Sequence, residues 1–364
     1  MFRIEMLPAG HGDCLLLTYG TSSSPHQVLI DGGPYYAFSH LAQRIDSLAA
    51  SASTIELFVV THVDADHIDG AVKLLGAKSE KLMIEDIWFN GWRHLAPPTD
   101  DLLGPVHGEM LSALIQHRRV PWNVAFRGSP VAIRDNFTPR EVALKGGLTL
   151  TLLSPTVDGL SDLRKVWAKE LVKAGLEPDS CAAALKKLRQ SARLRPPPDL
   201  LGDTRPDVPS LAGSPFVGDT SEANASSIAF LAEFEGKRCL FTGDAHPDVL
   251  VRSIRKHLQT HNKTKLEVDA VKLSHHGGKG NTSPELLQLL DCRRFLISSN
   301  GNSYKHPHQE TIARILVHNG PGVDLLFNYR SDENKVWNDQ RLKRRHSYKT
   351  HYPSGASSGL VIDL

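Results

Sequence analysis

The run FVVTHVDADHIDG, beginning at Phe58, constrains this chain more than any other stretch. It starts as an apolar strand and breaks within six residues into His62, Asp64, Asp66 and His67. With Asp69 included, three carboxylates and two histidines fall between positions 62 and 69. Like charges gathered at a strand end repel one another and give a purely structural chain no compensating gain. Divalent cations neutralise such a cluster and take these residue types as ligands, so the pattern points to a metal centre.

Three later strand-like runs end in the same way. KRCLFTGDAH carries Asp244 just past its apolar stretch. VDAVKLSHHGG ends in His275 and His276, followed by two glycines that let the backbone approach a ligand closely. RRFLISSNGNSYKHPH leads through Asn300, Asn302 and Tyr304 to His306 and His308, ahead of a helical pattern. Sites in open αβ sheets form beyond strand ends, so these termini are expected to converge.

Apolar runs at 2–7, 14–19, 27–31, 57–61, 84–89, 148–153, 228–234, 238–242, 268–274 and 293–298 read as strands. Helical periodicity appears near 36–49, 107–119 and 306–318. The segment 91–220 differs: it holds helical patterns at 160–174 and 180–194 and a Pro-rich loop from Arg195. It reads as an insertion, a candidate lid, on a core made of 1–90 and 221–364.

Charged residues make up 23% of the 364, and no apolar run reaches the roughly 20 residues of a membrane span, so a membrane partner is not expected. The N-terminus lacks the pattern of a signal peptide. Cys14, Cys181, Cys239 and Cys292 are far apart and read as free thiols, which together with the N-terminus predicts a cytoplasmic protein. A net charge of +2 excludes chain-wide attraction to polyanions. The run RLKRRHSYKTH at 341–351 concentrates positive charge, either to meet a phosphate backbone or as a solvated face.

The ordered series HGD (11–13), LIDGG (29–33), THVDADH (61–67), NASS (224–227), FTGD (241–244), KLSHHGG (272–278) and NSYKHPH (302–308) resembles the metallo-β-lactamase superfamily. More narrowly, it is similar to the hydrolase domain of ComEC-type competence proteins. The resemblance covers roughly 1–75 and 222–320. It implies an αββα four-layer sandwich of the α/β class and a centre of two divalent metal ions, Mn²⁺ or Zn²⁺ with Mg²⁺ also suited. By the same resemblance His62 and Asp64 serve one metal, Asp66 and His67 the other, Asp244 bridges, and His275 or His276 supplies the late histidine. His275 is taken here as the ligand. Asp64 stands where most members carry histidine, and a carboxylate hardens the site toward Mn²⁺. The family's middle histidine has no counterpart; NASS lies in that region, so Asn224, Ser226 or Ser227 is expected to hold substrate or water.

The resemblance further implies a hydrolase, with a metal-activated water attacking a phosphodiester of DNA or RNA. Asp66, His276, His306, Tyr304 and Asn302 are the expected catalytic set, the histidines donating to phosphate or leaving group and Asn302 and Tyr304 orienting the phosphate. His11, Asp13, Asp31 and His308 are expected to support the metals or the substrate. The same fold also hosts small-molecule hydrolases, such as cyclic-nucleotide phosphodiesterases and lactonases. A non-catalytic metal-binding interaction module is the third reading.

Overall fold

Successive side chains of a strand point to opposite faces. In the run after Glu56, Leu57 and Val59 enter one apolar core while Phe58 enters another. The same split separates Leu17 from Leu16, Val28 from Leu29, Phe230 from Leu231, and Cys239 from Leu240. These strands are apolar at nearly every position because both faces of their sheets are covered. A four-layer molecule follows directly.

The computed structural model describes residues 1–48, 54–77, 82–95, 106–174, 206–354 and 358–364. Its first large sheet contains β1 (Phe2–Met6), β2 (Leu15–Thr21), β3 (Ser24–Ile30), β4 (Leu57–Val59) and β5 (Ile87–Trp88). The second contains β6 (Arg140–Ala143), β7 (Thr149–Ser154), β8 (Ala229–Phe234), β9 (Lys237–Phe241), β10 (Ala270–Lys272), β11 (Arg294–Ile297), β12 (Val323–Phe327) and β13 (Tyr348–His351). A last strand, β14 (Leu360–Asp363), returns to the first sheet, whose order is β14-β1-β2-β3-β4-β5. The second sheet runs β13-β12-β11-β10-β9-β8-β7-β6. Pairing is parallel from β3 to β5 and from β9 to β13, and antiparallel elsewhere.

Between the sheets lie Ile4, Leu17, Val28, Leu150, Phe230 and Phe241. The outer face of the first sheet is covered by α1 (Phe38–Asp46), α2 (Ala65–Gly76), α3 (Val106–Arg118) and α4 (Val157–Ala174). The outer face of the second is covered by α5 (Pro247–Thr260), α6 (Pro284–Leu289) and α7 (Gln309–His318). Helix α5 shows the usual logic: Pro247 opens it, and Leu250, Val251, Ile254 and Leu258 form its buried stripe. This is the αββα sandwich that the resemblance implied.

The segment 91–220 is not wholly outside the core, because β6 and β7 extend the second sheet through β8. Helices α3 and α4 also belong to the layer over the first sheet, where Leu160, Leu163 and Trp167 are buried. The helical pattern at 180–194 and the start of the Pro-rich loop lie outside the described residues. The basic run at 341–351 forms α8 (Gln340–His346) and then β13, an edge strand. Cys14, Cys239 and Cys292 are buried free thiols, and Cys181 lies outside the described residues. Among the described residues no helix is long and apolar enough to cross a membrane.

Candidate metal centre

Asp31, wholly buried at the end of β3, organises two of the imidazoles from behind. Its backbone is left-handed, and the chain then meets α2 glycine on glycine: a Cβ on Gly32 would fall 2.2 Å from Ala71 N. That close approach brings His67 Nδ1 to 2.8 Å from Asp31 Oδ2. Thr61 donates its backbone N–H to Asp31 Oδ1 at 2.7 Å and its hydroxyl to Oδ2 at 2.8 Å. Thr61 Oγ1 also lies 3.0 Å from His62 Nδ1. Since the hydroxyl proton goes to Asp31, Thr61 accepts from His62. Both rings are thereby protonated at Nδ1, and each offers a lone pair at Nε2.

His275 and His276 follow β10 with consecutive left-handed backbones, φ 49° and 55°, before Gly277 continues at 88°. Such residues cost on the order of 1–3 kcal/mol each and persist where the surroundings impose them. The result turns both imidazoles toward Asp244. His276 is the deeper, with Nε2 at 3.2 Å from His67 Nε2, 3.3 Å from Asp66 Oδ2 and 3.8 Å from Asp244 Oδ2. Its Nδ1 faces Asp13 Oδ1 at 3.3 Å, and Asp13 Oδ2 is ion-paired with the buried Lys272 ammonium. His275 Nε2 lies 3.9 Å from Asp244 Oδ2, while its Nδ1 is 3.0 Å from Asn281 Oδ1 and 3.5 Å from Asp219 Oδ2.

Asp64 occupies the N-cap position of α2, where an Asp ordinarily accepts from the first-turn amides. Its carboxylate does not cap the helix; Oδ2 lies 3.5 Å from His62 Nε2 instead. Asp244 Oδ2 sits centrally, 3.4 Å from His67 Nε2 and 3.8 Å from His62 Nε2. The Asp244 loop is pinned by its own N–H donating to Ser227 Oγ at 2.9 Å.

The donor set fits divalent cations. His62 Nε2, Asp244 Oδ1 and Asp13 Oδ1 are buried without a hydrogen-bond partner among the described residues. Buried polar atoms rarely stay unsatisfied, and a cation would satisfy the first two. Asp13, His67 and His276 converge tightly enough to hold an ion, as do His62, His67 and Asp244. Burial alone would raise the Asp66 and Asp244 carboxyls, yet the adjacent imidazoles hold both well below the usual carboxylate range. Burial opposes charge on His276, but Asp13 and Asp244 reverse this and push it up to about 9. Asp244, Asp31 and Asp66 likewise raise His67. Protons and a cation therefore compete for the same Nε2 atoms.

The remaining expected residues fall in three positions. His11, Tyr304 and His306 line the mouth: His306 is buried, its ring centroid 5.0 Å from that of His275 and 6.0 Å from that of His276. Asn224, Ser226, Ser227 and His308 make supporting bonds. Asn224 Nδ2 donates to Asp219 Oδ2 at 2.7 Å, Ser226 Oγ to Ala223 O at 2.6 Å, and His308 Nδ1 accepts from Lys279 N at 3.2 Å. Asn302 is exposed, and among the described residues its side chain makes no hydrogen bond. Sequence reasoning passed over Thr61, Lys272, Asp219 and Asn281. Lys272 left a signal, a lysine inside an apolar strand; Asp219 and Asn281 left none, being polar residues in polar loops.

No family model matches the chain. ComE operon protein 3 of Bacillus subtilis (strain 168) is 29% identical over 149 residues, 41% of this chain and 18% of that protein. The chain thus spans under a fifth of its curated relative's length, and the match bears out the resemblance carried by the motifs. The metallo-β-lactamase fold protein YhfI from Bacillus subtilis aligns over 99% of this chain and 98% of its own, at 12% identity and a TM-score of 0.43. Zn²⁺-bound PqqB from Methylobacterium extorquens aligns over 100% of both chains, at 12% identity and a TM-score of 0.41.

Proposed function

We propose that this chain is a metal-dependent phosphodiesterase acting on DNA or RNA. The observation that carries the reading is the convergence of four imidazole Nε2 atoms and the Asp64, Asp66 and Asp244 carboxylates, with each imidazole Nδ1 backed by an oxygen atom. His62, Asp64, Asp244 and His275 would hold one divalent ion; Asp66, His67, His276 and Asp244 would hold the other. This assigns His276 to a metal as well as His275, and it gives the first ion the nitrogen ligand for which NASS offered no histidine. Two bound ions would supply an activated water and neutralise charge on the phosphodiester.

The chain's own groups do the rest. His306 is held low by burial and by the His276 and His275 charges, so it is neutral near pH 7. A neutral imidazole donates one N–H, which suits His306 to bonding a phosphate oxygen. Asp31, Thr61, Asp13, Asn281 and Asp219 keep the ligating rings in one orientation. Donors are nitrogen and oxygen in equal part at each position, which accommodates Mn²⁺ and Zn²⁺; the Asp64 carboxylate favours Mn²⁺. A cytoplasmic location belongs to this proposal.

The test begins with metal content. Chelated protein titrated with Mn²⁺ should take up two equivalents by mass spectrometry, and Asp244→Asn should lose at least one. A substrate panel then follows: single- and double-stranded DNA, RNA, bis-nitrophenyl phosphate and cyclic nucleotides. Turnover of the small esters alone removes the nucleic-acid reading, and failure to bind metal removes enzyme function altogether.

A further inference from the structure

Three aromatic rings lead from solvent to the metal cluster. Tyr36 and Tyr304 are large side chains left 45% and 59% exposed, unlike the buried Tyr19 and Tyr348. They are not isolated: the His11 ring stands between them, 5.9 Å from Tyr36 and 6.1 Å from Tyr304. Tyr36 is anchored, its hydroxyl 2.8 Å from His11 Nδ1 and its ring end packed where Gly10 has no Cβ. On the inner side, Tyr304 lies 5.9 Å from the His306 ring and 6.5 Å from the His275 ring. Tyr304 thus borders the ligands beside which a phosphodiester would sit, and Tyr36 joins it through His11.

An exposed tyrosine alone is ordinary on a protein surface. A run of rings that ends on the ligands is not explained by packing, since Tyr36 and Tyr304 keep much of their area in water. The chemistry they offer is a π-face for a planar ring, and every nucleobase has one. A paired base hides its faces in the duplex stack, whereas an unpaired base is free to leave it.

Resting on the phosphodiesterase reading, we propose that Tyr304, with His11 and Tyr36, is a stacking platform for an unpaired nucleobase adjoining the scissile phosphate, so that the enzyme selects single-stranded over duplex nucleic acid. Tyr304 then acts through its ring rather than through its hydroxyl on the phosphate.

Fluorescence anisotropy with Mn²⁺ tests this on cleavage-resistant phosphorothioate 12-mers: an oligothymidylate, an abasic strand of equal charge, and a duplex. The wild-type protein should prefer the base-bearing strand over the abasic one by about tenfold or more, the scale of one base stacked on one aromatic ring. Tyr304→Phe should keep that ratio, and Tyr304→Leu should bring it toward one. A ratio near one in the wild type, or an equal loss in Tyr304→Phe and Tyr304→Leu, overturns the platform. If unmodified strands are still cut in either of those cases, the phosphodiesterase reading stands without it. If no strand is bound or cut while metal is taken up, both fall.

Discussion

At the scale of single residues, the centre depends on groups that never touch a cation. Asp31 fixes the tautomers of His62 and His67 together, through Thr61 for the first and directly for the second. Asp31→Asn is therefore expected to weaken metal binding by about 10–100-fold, the usual scale for the hydrogen-bond partners of ligating histidines. Competition against a chelator would read this, and an unchanged affinity would refute the shared-carboxylate account. Lys272 and Asp13 are each 1% exposed and charged. Removing the ammonium in Lys272→Met should destabilise the protein by about 3–5 kcal/mol, as for other broken buried pairs, while adding Asp13→Asn should recover part of the loss. Urea unfolding of the single and double variants distinguishes this from simple loss of packing. The pH response has a definite sign. His276, raised to about 9, and His67, also raised, hold protons at neutral pH that a cation must displace. Metal affinity should climb from pH 6 toward 9 with net proton release, measurable by calorimetry in buffers of different ionisation enthalpy.

At the scale of elements, α4 is held in the layer over the first sheet. Trp167 is fully buried against Trp92, with a ring separation of 6.3 Å, and a Cβ on Gly108 of α3 would fall 2.5 Å from its indole. Trp167→Ala should cost about 3–5 kcal/mol, as large-to-small changes in a core do. A change below 1 kcal/mol in denaturant unfolding would mean that α4 is peripheral. The apolar run at 148–153 was legible as a strand in the sequence, but its place in the sheet was not. Antiparallel pairing with β8, about eighty residues later, joins distant parts of the chain, and no local pattern announces it.

At the scale of the whole molecule, the site lies where the C-terminal ends of the parallel strands β3, β4, β9 and β10 meet from two sheets. The basic run sits on the flank of the second sheet, on α8 and the edge strand β13. Arg344 and Arg345 are exposed and form no ion pair among the described residues. If they bind phosphates, neutralising both should lower the salt slope of nucleic-acid binding by about one for each phosphate they had paired; an unchanged slope marks a solvated face. The sequence by itself determined the ligand types and their strand-end positions, because a charged cluster following an apolar run is a local signal. It also determined that central strands such as β4 and β11 are buried on two faces, since they are apolar at almost every position. Only the tertiary structure decided that His276 is the histidine beside Asp66 and that His275 turns toward Asp244. It also decided that Asp219 and Asn281 back the His275 ring. Those assignments depend on left-handed backbone at 275 and 276 and on loops far apart in the chain, which meet only once the two sheets have packed.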